Sequence, residues 1–99
     1  MTADALRAAI AADCPHRLND YDRHRQAARF PGEPTHAFRV LWWTEHHISA
    51  DPALAAQIDG LYRQAQDSAT REEALGIFAQ VNEIRDAVQQ QVIKEMGSA

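Results

Sequence analysis

The residues of this chain best suited to chemistry are its histidines, one cysteine and a scatter of carboxylates. His16, Asp20 and His24 recur every fourth position, which on a single helix puts all three on one face, with Cys14 just upstream. Imidazole is the commonest transition-metal ligand, so this strip could form a two-point clip, completed from His36, Glu45, His46 or His47. The plainer reading is an ordinary surface His–Asp pair, because the neighbouring arginines repel a cation. Glu45-His46-His47 has the letters of a zinc-protease motif but lacks its spacing of two histidines four apart. No metal and no cofactor is therefore expected.

Nucleophilic catalysis finds no better footing. Cys14 and His16 are close in sequence without forming a Cys–His pair in space, and no serine sits in a glycine-rich elbow. Cys14 reads as a small buried side chain. Four scattered glycines cannot build a phosphate cradle. The paired carboxylates Glu72 and Glu73 are explained by capping and by the dipole of the helix they open. The chain is expected not to be an enzyme.

Charge bears on nucleic acids. The formal net charge is -4, against the basic footprint of a general nucleic-acid binder. Arg17, Arg23, Arg25 and Arg29 outnumber Asp20 and Asp22 between Pro15 and Phe30, which leaves a DNA-binding regulator as an alternative reading. A helix-turn-helix is disfavoured, because Pro31-Gly32-Glu33-Pro34 is a stiff joint. The helix that follows it shows Phe38, Leu41 and two tryptophans in place of base-reading side chains.

These residues must be held by helices, since no stretch alternates β-branched and polar residues over a useful length. The expected fold is all-α, a compact bundle of four or five helices in one domain of 99 residues. Nineteen alanines against twenty-five larger apolar residues imply a thin core with closely approaching helices. Helices are expected at about 2–13, 15–29, 35–49, 52–66 and 71–95. Thr2 is the first N-cap, and Pro15 suits the first turn of the second helix. In the third helix Phe38, Leu41, Trp42, Glu45 and Ile48 share one register at its centre. Asp51-Pro52 opens the fourth, where Gly60 either weakens the helix or admits a close neighbour. Thr70-Arg71-Glu72-Glu73 fits a capping box at the start of a long amphipathic helix.

That last helix carries Ala74, Ile77, Val81, Ile84 and Val88 at intervals of three and four, with Leu75, Phe78 and Val92 widening the stripe. At about 37 Å for 25 residues it exceeds what a small globule needs, so the stretch from Gln89 to Met96 is expected to project or to meet another chain. Homodimerisation through residues 77–95 follows as an expectation. The preferred function is a non-catalytic protein-binding module of the antitoxin-like, immunity, inhibitor or adaptor kind. Its expected contact residues are Arg39, Trp43, His46 and His47 on the third helix and Ile84, Val88 and Val92 on the last. Trp42 reads as core.

The order of LRAAI, DYDRHRQAA, Leu41-Trp42-Trp43 and Asp51-Pro52-Ala53 resembles a family of small uncharacterised actinobacterial proteins, over about residues 5–65. Some members accompany toxin–antitoxin genes, so the resemblance implies a protein partner and no particular chemistry. A single cysteine cannot make an internal disulfide, and MTADALRAAIAADC has neither a basic start nor an unbroken apolar run. A cytoplasmic location without membrane insertion is expected.

Overall fold

Threonine and aspartate side chains open four of the five helices. The computed structural model describes residues 2–97. Thr2 Oγ1 accepts from the Ala5 N–H at the head of α1 (Ala3–Asp13). A short 3-10 turn, Pro15–Arg17, leads into α2 (Leu18–Ala28). Thr35 accepts from the Phe38 N–H to start α3 (His36–Ala50), and Asp51 accepts from the N–H groups of Ala53 and Leu54 to start α4 (Pro52–Gln66). Thr70 does the same for Glu73 at the head of α5 (Arg71–Gly97). The reciprocal arm of this last box is displaced by one residue, since the Glu73 carboxylate accepts from Ala69 rather than from Thr70. The fold is an all-α bundle with a long C-terminal helix, as the sequence predicts.

Pro15 departs from expectation. It begins the 3-10 turn, whose tighter winding of three residues per turn takes His16 out of the helical register of Asp20 and His24. At the other end α2 stops at Ala28, because Arg29 adopts the left-handed conformation with φ of 52°. Gly60 lies inside α4 with open space where a side chain would stand, so it admits no close neighbour.

Two apolar clusters share α3. The first joins Leu6 and Ile10 of α1, Cys14, Tyr21 of α2, and Phe38 and Trp42 of α3, with Leu18, Phe30 and Trp43 packed on its rim. The second joins Ile48, Ile58 and Val81, with Leu54, Leu61, Ile84 and Val88 around it. Along α5 the inward stripe is the predicted one. α4 runs in the opposite direction beside α5: Tyr62 meets Phe78 early in α5, whereas Leu54 shares the second cluster with Ile84 and Val88.

The far end of α5 does not project. Val92 is 1% exposed, Ile93 and Met96 are half-buried, and Glu95 reaches His47 of α3 at 3.5 Å. With 27 residues the helix is longer than α3 or α4, each of 15, and the molecule is 46 Å in its longest dimension. Val92 is thus buried in this chain's own interior, and Ile84 and Val88 are half-buried against the second cluster. Among the described residues no helix is long and apolar enough to cross a membrane.

Candidate functional site

Glu45 follows from the register of α3. It shares the inward face with Phe38, Trp42 and Ile48, and is itself buried. A carboxylate removed from water must be paired, and this one lies between two guanidinium groups. Arg17 of the 3-10 turn approaches at 3.2 Å, and Arg85 of α5 pairs with the other oxygen. Burial lowers the pKa of the Arg85 guanidinium, and the nearby charge of Arg17 adds to that. Arg17 also stands over the Trp42 ring at 5.4 Å and lies 3.5 Å from Asp20. Three segments distant in sequence thus meet on one carboxylate, where the two apolar clusters adjoin.

A cavity of about 390 Å³ opens beside this triad, lined by His16, Asp59 and Tyr62 as well as the three charged groups, over an apolar floor of Ile48, Ala55 and Ile58. Both guanidinium groups are engaged by Glu45. The triad is a structural tie.

The candidate metal strip is dispersed. His24 Nδ1 accepts the indole N–H of Trp42 at 2.9 Å, and its ring rests 5.0 Å from Phe38. Asp20 is turned to Arg17, and His16 lines the cavity. Among the described residues no group of three or more His, Cys, Asp or Glu side chains is placed to hold a metal ion. Cys14 is buried, and that burial, with Asp13 beside it, raises its thiol pKa while Arg17 partly opposes the shift.

The candidate basic face is divided as well. Arg17 is committed to Glu45, and Arg25 donates to the Tyr21 hydroxyl at 3.5 Å. Arg25 and Arg29 share a shallow depression with Asp22, whose carboxylate receives a two-pronged bond from Arg7 at 2.9 and 3.0 Å. Arg23 points elsewhere on the exposed side of α2, since two positions along a helix turn it by about 200° from Arg25.

Of the contact residues expected on α3, Trp43 is half-buried on the rim of the first cluster, edge-on to His46 at 5.4 Å. Its indole N–H is buried and makes no hydrogen bond. His46 Nε2 meets Asp13 at 2.8 Å, and His47 meets Glu95. Arg39 is half-buried. This edge of α3 is thus bound to the ends of α1 and α5.

Large apolar side chains are exposed elsewhere. Leu41, Tyr62, Leu75 and Phe78 are 42%, 39%, 54% and 40% exposed. Tyr62 and Phe78 touch, with ring centroids 6.1 Å apart. Leu75, Phe78 and Asn82 follow one another at helical spacing on α5, and Asn82 lines a groove with Ala37, Leu41 and Thr44 of α3. Leu75 and Phe78 therefore do not widen the core stripe as expected; they begin a second one. The signal was in the sequence as a run at positions 71, 75, 78, 82, 86 and 89, set beside the stronger Ile/Val stripe.

No family model, curated protein or solved structure matches this chain.

Proposed function

We propose that the protein is a small non-catalytic binding module that acts through contact with another protein. The observation that carries this reading is the exposure of four large apolar side chains, Leu41, Tyr62, Leu75 and Phe78, of which Tyr62 and Phe78 touch. The chain places both tryptophans, Tyr21 and Phe38 in or against its interior, yet leaves these four side chains in water. Aromatic and leucine side chains gathered on one face, rimmed by polar groups, are the usual make-up of a contact surface. An antitoxin-like, immunity, inhibitor or adaptor role fits such a surface.

Photo-crosslinking in the native host tests it. A photoreactive side chain at Asn82, on the exposed stripe, is expected to give a discrete protein adduct, whereas the same group at exposed Ala53 gives none. Equal labelling at both positions, or no adduct at Asn82, overturns the reading.

A further inference from the structure

We infer that the protein covering this face is a second copy of the same chain, docked antiparallel along α5; the inference rests on the protein-binding reading above. Arg71, Leu75, Phe78, Asn82, Asp86 and Gln89 are spaced four, three, four, four and three residues apart, and all six are exposed. At about 100° per residue they occupy one strip about 80° wide, separate from the stripe that faces the core.

The charges on this strip fix the partner and its direction. Arg71 lies seven residues before Phe78 and Asp86 eight after it, so the two are nearly symmetric about the Phe78–Ala79 bond. A two-fold axis there sets Arg71 of each copy against Asp86 of the other, Leu75 against Asn82, and Phe78 against Ala79. An isologous contact repeats every pair, giving two bridges about 22 Å apart with the aromatic pair between them. A parallel arrangement would oppose Arg71 to Arg71 and Asp86 to Asp86. Among the described residues neither Arg71 nor Asp86 has an ion-pair partner within the chain, while Arg85, the remaining cation on this stretch, is turned inward to Glu45. Leu41 lines a groove with Asn82, Asp86 and Gln89, and Tyr62 touches Phe78, so both extend the apolar contact at the edges of the strip.

Analytical ultracentrifugation of the full chain over about a hundredfold concentration range tests this directly. The wild type is expected to sediment as a monomer–dimer equilibrium. Phe78→Glu is expected to raise the dissociation constant at least about thirtyfold, as loss of an interface anchor does. Leu75→Glu, at the most exposed of the four apolar positions, is a second probe should the first variant lose helicity. Arg71→Asp alone should weaken the dimer about fivefold, and Arg71→Asp with Asp86→Arg should restore it. A wild type that stays monomeric throughout overturns the second copy, as does a double swap that fails to recover what the single swap loses. Crosslinking at Asn82 separates the two ideas: an adduct to a different protein keeps the binding module and removes the dimer, whereas no adduct removes both.

Discussion

Trp42 donates its indole N–H to Nδ1 of His24 across 2.9 Å, and this bond decides the role of both residues. It gives the largest side chain of the first cluster a polar partner, and it takes His24 out of any metal-binding strip with His16.

His24→Ala should therefore lower the free energy of unfolding by about 1–2 kcal/mol, the cost of leaving a buried donor unpaired. His16→Ala, on an exposed residue of the 3-10 turn, should change it by less than about 0.5 kcal/mol. Urea titrations of the two variants check this. Equal effects would mean that the histidines act together after all.

What was legible beforehand was local. Thr2, Asp51-Pro52 and the Thr70–Glu73 box each act within four residues, and the helix starts follow from them. The inward stripe of α5 was legible for the same reason, since repeats of three and four need no knowledge of neighbours. The Glu45 triad was not, because Arg17 and Arg85 lie 28 and 40 positions away in the chain; the only hint was an acid in a core register. The outer stripe of α5 was hidden by its neighbour. Phe78 lies only about 40° from the edge of the Ile/Val stripe and so reads as its margin, whereas Leu75 lies about 100° from it and belongs to a separate face; only the placement of α3 and α4 shows which stripe is covered.

Glu45→Ala should destabilise the fold by about 2–4 kcal/mol, because it leaves two partly buried guanidinium groups without their common carboxylate. The lower half of that range is favoured, since Arg17 and Arg85 are 31% and 30% exposed and water screens them. Arg85→Met should cost less than Glu45→Ala, because Glu45 keeps Arg17. Thermal unfolding of the two variants gives the order, and a milder Glu45→Ala would show that the triad is not the tie between the clusters.

Gly60 and Gly76 stand inside α4 and α5 with nothing near the position of an added Cβ. Replacing either with alanine removes backbone freedom from the unfolded chain without creating a clash. Each should stabilise the protein by about 0.5–1 kcal/mol, additively, as read by urea midpoint. A loss of stability from Gly76→Ala would mean that its side of α5 is covered in solution, by a closer neighbour than the monomer supplies.

Asp22 and Arg7 tie α2 to α1 at the surface, and their contact has a pH signature. The Arg7 hydrogen bond holds the Asp22 carboxyl below its ordinary pKa, with a smaller opposing effect from burial. The folded chain thus binds this proton less readily than the unfolded chain. The resulting stability is present above the unfolded carboxylate value, about 3.9, and is lost as pH falls through the lower folded value. Asp22→Asn should accordingly melt below the wild type at neutral pH, by a small margin because the pair is exposed to water. The gap should close as the acid is titrated away, and should narrow in high salt at neutral pH. Melting curves from neutral pH down to the start of acid unfolding check this; a gap that widens on acidification would show that Asp22 acts through something other than its charge.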